Sequence, residues 1–256
     1  VVMIHTGSVS VGYPASGYMQ DILREIYPKS LKYPENGIFP LPVSEKYAAQ
    51  WANFRMALRN AANFAFCNRM FLGLMMRMVF EEVLGDREFR LLYDSGHNLV
   101  WDQEIDGETQ FLHRKGACPA RGAEQMQGTP FYWTGEPALI PGSMGASSFI
   151  MAGKGHAGSM GSASHGAGRS MSRGKSMRVE DAEFEAFIKR FSIVTPIDPE
   201  SPAVVGRSMV LKKWRDEIKQ EAPWAFKDIG PVIDTQVAAG MVGRVVETEP
   251  IFTVKG

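Results

Sequence analysis

The chain has 256 residues, 45% of them hydrophobic, enough to bury a core as one large domain or two small ones. Its 28 Lys+Arg offset its 28 Asp+Glu, which excludes a strong overall charge and makes any phosphate-binding surface local. Two cysteines exclude a disulfide framework, and no apolar run reaches transmembrane length, so a reducing, cytoplasmic setting without a membrane partner is expected.

Val1 to Ile4 reads as a short strand, with His5-Thr6-Gly7-Ser8 at its end. No basic stretch precedes it and polar residues follow at once, so it is not a signal peptide, and the chain is expected to begin inside a domain. Residues 17–27 fit a short helix with Tyr18, Ile22, Leu23 and Ile26 inward. Residues 28–43, with four prolines, are a loop. From Ser44 to Leu84 the pattern is helical: Ser44 can cap, Glu45 adds favourable charge, and Trp51, Phe54, Leu58, Ala61 and Ala65 recur at helical spacing. A break between its two halves is expected, because a single uncapped helix of that length is uncommon. Its Met- and Phe-rich stretch 70–80, and Cys67, are expected to be buried.

Phe89 to Tyr93 is a strand candidate. A hairpin is expected over 99–101 and 109–113 around an Asp106-Gly107 turn. Strands at 138–140 and 146–152 flank Gly142-Ser143-Met144-Gly145. Residues 153–174 are Gly/Ser-rich but bounded by structured segments, so they read as an ordered loop. Helices are expected at 179–190, 207–220 and 230–239, and strand-like alternation at 241–254 around Pro250.

Five histidines occur. His5, His97 and His113 follow apolar strand candidates; His156 and His165 lie in the glycine-rich region. Imidazoles from separate loops can converge on a borderline metal such as Mn²⁺ or Zn²⁺, and each is equally an ordinary surface or structural histidine. Asp94, His97 and Asn98 form a polar cluster, readable as a metal site or as a solvated turn. Gly142 to Ser148 resembles a phosphate nest of backbone N–H groups and hydroxyls, or an ordinary glycine turn; it lacks the ending of a Walker A loop. In Ser164-His165-Gly166-Ala167-Gly168-Arg169 the imidazole is flanked by small residues and open to attack a phosphoryl group, with Arg169 and Arg173 able to offset phosphate charge. His113-Arg114-Lys115-Gly116 could be an anion-binding strand end or a solvated turn. Arg169, Arg173, Lys175 and Arg178 could hold an RNA backbone or form an exposed loop.

Taken in order, these runs resemble the RtcB family of RNA-splicing ligases. The resemblance is carried by His5-Thr6-Gly7-Ser8, Asn60-Ala61-Ala62-Asn63-Phe64-Ala65 with Asn68-Arg69, Tyr93-Asp94 with His97-Asn98, His113 to Ala117, Pro141 to Gly145, Ser164 to Arg169 with Met171-Ser172-Arg173, Lys227-Asp228 and Val254-Lys255-Gly256. It implies an α+β catalytic domain with mixed and antiparallel sheets around a central cleft and peripheral helices. It also implies a GTP- and Mn²⁺-dependent ligase joining RNA 2′,3′-cyclic phosphate or 3′-phosphate ends to 5′-hydroxyl ends through a covalent histidine–GMP. On that basis His165 carries the guanylate and His5 and His97 are metal ligands in a two-metal site. Asn98, Ser143, Ser148, Ala167, Gly168, Phe226 and Lys255 contact the nucleotide. The implied partners are the two RNA ends, with room for an activating accessory protein.

The chain departs from the family pattern in places. Phe226 stands where a tyrosine is usual, Val9-Ser10 where Arg-Gly is common, and Ala163-Ser164 where Ser-Cys is common. The family's Asp…Cys ligands and its Asn-His…Glu run have no counterpart here. Residues 1–256 are therefore expected to be the C-terminal portion of a single catalytic domain, with little or no ligation alone. Rival readings are a relative that binds guanine nucleotide without ligating, and a metal-dependent phosphoesterase.

Overall fold

A computed structural model describes residues 1–85, 88–105, 107–190 and 192–256. They fall into two compact units, Val2–His113 and Arg114–Gly256, with Val1 assigned to the second. Helix and strand are mixed and the sheets are small, so the α+β expectation holds.

In the first unit α1 spans Val9–Ile26 and α2 spans Ala48–Leu84, and the two pack together. Helix α1 starts eight residues before the expected 17. Its inner stripe is Met19, Ile22, Leu23 and Ile26; Tyr18 is exposed. The proline-rich loop after it is pinned by Tyr27, Tyr33 and Phe39, whose rings meet edge to face at 5.3–5.8 Å.

A short 3-10 turn, Glu45–Tyr47, leads into α2, and the Ser44 side chain makes no capping bond. Helix α2 then runs unbroken for 37 residues, against the expected break. It contains no proline and a single glycine, Gly73, and it ends at Gly85 in the left-handed region (φ +69°), which favours glycine. Trp51, Phe54, Leu58, Ala61 and Ala65 are half-buried as the spacing predicts. Trp51 stacks on Phe111, with ring centroids 5.2 Å apart. The stretch 70–80 corrects the sequence reading, because Met70, Phe71, Leu74, Met75, Met78 and Val79 are exposed, as is Cys67. One face of α2 meets α1 and the following hairpin, and the apolar stripe lies on another.

Neither Val1–Ile4 nor Phe89–Tyr93 forms a strand. The carbonyls that would extend a ladder from the first segment accept from side chains instead: Thr6 from Arg69 and Gly7 from Asn68. The expected hairpin is present and longer, as β1 (Asn98–Ile105) paired with β2 (Glu108–Lys115). Gly107 has φ +79°, and Asp106 lies outside the described residues.

In the second unit β3 (Ala117–Pro119) pairs antiparallel with β6 (Ser162–Ser164). Strands β4 (Pro137–Ile140), β5 (Ser148–Gly153) and β8 (Val242–Thr248) form an antiparallel sheet with β5 central. Cys118, Ala138, Ile140, Phe149, Met151, Ala163 and Val242 of these strands pack with Ile233 of α6 (Gly230–Ala238) in one core. Gly153 allows a close approach: a Cβ there would lie 2.4 Å from the Ala120 carbonyl carbon. A four-residue helix, α3 (Arg173–Ser176), precedes α4 (Asp181–Ile188) and α5 (Ser208–Lys219). Phe184, Phe187, Trp214 and Ile218 of the latter pair form a second core with Met144 and Ala222. Strand β7 (Ser192–Val194) pairs parallel with β9 (Phe252–Val254).

Candidate active site

In the first unit two loops outside any strand bring His5 and His97 together. Their Nε2 atoms are 3.1 Å apart and the rings meet edge to face, with centroids separated by 5.1 Å. Helix α2 fixes both loops. Arg69 donates from Nε to the Asp94 carboxylate at 2.6 Å and from Nη1 to the Thr6 carbonyl at 3.1 Å. Asn68 donates from Nδ2 to the Gly7 carbonyl at 3.1 Å and to Thr6 Oγ1 at 3.4 Å. Asp94 is therefore an ion-pair partner of Arg69. Asn98 is exposed as the first residue of β1, directly after His97.

The donor pair suits a transition-metal ion. Two imidazole nitrogens, each about 2.0–2.1 Å from one ion and roughly at a right angle, are separated by about 3 Å. Neutral imidazole also fits the borderline metals that prefer nitrogen ligands.

The second unit holds His165 at the exit of β6. Its backbone N–H donates to the Gly116 carbonyl at 3.0 Å, continuing the β3–β6 ladder by one step. Ser164 is held on both sides: its N–H donates to Oε1 of the buried Gln236 at 2.6 Å, and its hydroxyl donates to the Gly166 carbonyl at 3.0 Å. Gly168 then turns the chain at φ +71°, a conformation costly for a residue with a Cβ. The half-buried imidazole thus sits on an anchored backbone and is followed by small residues, Gly166, Ala167 and Gly168.

Two other sequence candidates adjoin this turn. A Cβ on Gly166 would lie 3.8 Å from the Pro141 carbonyl, which places the Ser143 loop beside the His165 loop. In that loop Ser148 Oγ accepts from the Gly142 N–H at 2.9 Å, which closes the loop, and the Met144 N–H donates to the Glu221 carbonyl at 3.0 Å, which ties the loop to the segment after α5. The segment carrying Phe226 pairs with the other flank. Arg169 and Phe226 form an isolated antiparallel bridge, Lys227 donates to the Gly168 carbonyl, and the Arg169 guanidinium lies 4.8 Å from the Phe226 ring centroid. Lys255 follows β9 and donates its backbone N–H to Val194.

The remaining histidines have other settings. His113 is exposed within β2 rather than in a loop. His156 caps a 3-10 turn, Nδ1 accepting from the Ser159 N–H at 3.1 Å. Arg114 is buried and donates to Ser162 Oγ and the Met160 carbonyl, which corrects the expectation of a cation displayed at a strand end. Burial holds its guanidinium below the ordinary arginine value. Arg173, Lys175 and Arg178 are exposed along and after α3, the local basic surface that a neutral chain allows. The contribution of Asn68 and Arg69 to the His5 and His97 loops escaped sequence reasoning. The available signal was a polar pair inside an otherwise Met- and Phe-rich helical run.

A family model described as "tRNA-splicing ligase RtcB" matches residues 1–256. The chain is similar to the tRNA-splicing ligase RtcB of Pyrobaculum aerophilum, 33% identical over 271 residues covering 100% of this chain and 52% of that protein. It is also similar to those of Pyrococcus furiosus, 31% over 271 residues, and Methanocaldococcus jannaschii, 30% over 269 residues, covering 100% of this chain and 26% of each relative. The chain thus spans between about a quarter and a half of the length of these curated relatives. No helix among the described residues is long and apolar enough to cross a membrane. The ordered motifs from His5 to Lys255 and the match over the whole chain agree, and the chain belongs to the RtcB family of tRNA-splicing ligases.

Proposed function

We propose that this chain carries the guanylate-transfer chemistry of an RNA ligase, with His165 as the nucleophile. The family match over residues 1–256 carries the reading, and the anchored, small-flanked His165 turn supports it. A neutral imidazole nitrogen of His165 attacks the α-phosphorus of GTP. An N–P bond forms, the bond to the β-phosphate oxygen breaks, and pyrophosphate leaves. An oxygen of an RNA 3′-phosphate then attacks the same phosphorus, and His165 departs with its lone pair restored. The 5′-hydroxyl of the second RNA attacks the activated 3′-phosphorus, loses its proton, and GMP leaves. A 2′,3′-cyclic phosphate end enters the sequence after hydrolytic opening to the 3′-phosphate.

His5 and His97 are the residues that would hold Mn²⁺, which when bound supplies positive charge to phosphate oxygens as charge develops on them. Ser143, Ser148, Ala167, Gly168 and Asn98 are proposed nucleotide contacts. Phe226 offers a ring face to a base, though Arg169 already covers one side. Lys255 would offer a cation to the guanine. Arg173, Lys175 and Arg178 would hold the RNA backbone.

The test is incubation with Mn²⁺ and α-labelled GTP, with the Pyrobaculum aerophilum relative run in parallel. A covalent label on this chain that is acid-labile and absent in His165→Ala is expected. A label that persists in the variant would overturn the assignment. GTP hydrolysis without any adduct would favour the phosphoesterase reading.

A further inference from the structure

We propose that Arg69 is a positioning residue for the His5–His97 pair, assisted by Asn68; this rests on the reading of that pair as a metal site. The two histidines are 92 residues apart in sequence, and neither loop belongs to a strand. Backbone ladders therefore do not set their separation. Arg69 does reach both loops. Its Nη1 holds the carbonyl of Thr6, the residue after His5, while its Nε holds Asp94, three residues before His97. Asn68, the preceding residue of the same helix, takes the next carbonyl, that of Gly7.

The arginine is itself fixed. Its side chain is 13% exposed, its guanidinium lies 4.6 Å from the Phe66 ring centroid, and its backbone sits in the long helix α2. One rigid planar group thus refers two loops to a single helix. Guanidinium suits this geometry because its donors diverge in a plane at fixed angles; lysine presents a point charge and cannot span both acceptors in the same way. Groups that orient metal ligands from behind commonly change affinity about 10–100-fold when removed.

The test measures binding of Mn²⁺ alone, followed by electron paramagnetic resonance of the free ion, on the wild type and on Arg69→Lys, Arg69→Met, Asn68→Ala and His5→Ala. Circular dichroism and melting temperature report the fold of each. Arg69→Lys keeps a cation opposite Asp94. It is expected to melt close to the wild type and to bind Mn²⁺ roughly 10-fold or more weakly, with Arg69→Met weaker still. Asn68→Ala provides a folded variant with a smaller loss if Arg69→Met does not fold. Folded arginine variants that bind like the wild type, while His5→Ala loses binding, would overturn the positioning role alone. A wild type whose Mn²⁺ binding is indifferent to His5→Ala would overturn the metal reading, and this proposal with it.

Discussion

Glu136 is almost wholly buried, and its carboxylate accepts from Arg121 Nε and Nη2 at 2.9 and 3.0 Å and from the Arg121 backbone N–H at 3.0 Å. Removing it takes these acceptors from the Arg121 amide and guanidinium. Arg121 is half-exposed and can regain water, so Glu136→Ala is expected to cost about 2–3 kcal/mol, below the range for a fully buried pair. Urea unfolding would measure this, and a change under 1 kcal/mol would contradict it. The two cysteines separate in the same way by environment. Burial, reinforced by the charge of Glu136, pushes the Cys118 thiol up to about 12, whereas Cys67 is exposed on α2. Native protein at pH 8 is expected to take one equivalent of iodoacetamide, at Cys67, and two in urea. Peptide mapping would locate the label.

At the scale of elements, α2 and α5 show how periodicity and burial come apart. Both are helical by pattern. Ile218 of α5 is fully buried among Phe184, Trp214 and Ala222, so Ile218→Ala is expected to cost about 2–5 kcal/mol. Met78 of α2 is 69% exposed, and Met78→Gln is expected to change stability by no more than about 0.5 kcal/mol. Paired denaturation curves would test both; a large loss at Met78 would mean that the α2 stripe is covered in solution. The stripe of Met and Phe at helical spacing read as core because composition reports what a residue prefers. Whether a second surface lies against it is decided by chain far away in sequence. The expected break in α2 failed for a related reason: its length is unusual, but no proline interrupts it and its inner face is continuous from Trp51 to Ala65.

At the scale of the whole molecule, stability should depend on acid through Asp181. Its carboxyl is held below the ordinary aspartate value first by the hydrogen bond from Lys219 at 2.9 Å and then by that residue's charge, with Arg215 contributing less. A depressed carboxylate stabilises the fold above its unfolded value, near 3.9, and loses that contribution as pH falls through the lower folded value. Asp181→Asn should therefore melt below the wild type at pH 7, and the gap should close as pH drops below about 4. A gap independent of pH would place the effect elsewhere.

The sequence by itself determined the α+β class, most helices, the β4 and β5 strands and the β1–β2 hairpin, because these follow from local periodicity and turn chemistry. It also determined the family, since the motifs around His5, His97 and His165 are runs of contiguous residues. Tertiary structure alone decided which strands pair across long separations, such as β5 with β8 and β7 with β9. It decided that the carbonyls of Thr6 and Gly7, just after Val1–Ile4, are tied to side chains rather than to a ladder, and that Arg114 is an internal anchor. It also brought two imidazoles 92 residues apart to 3.1 Å, with Arg69 behind both loops. Each of these depends on a contact between segments distant in sequence, and the residue patterns along either segment do not encode its partner.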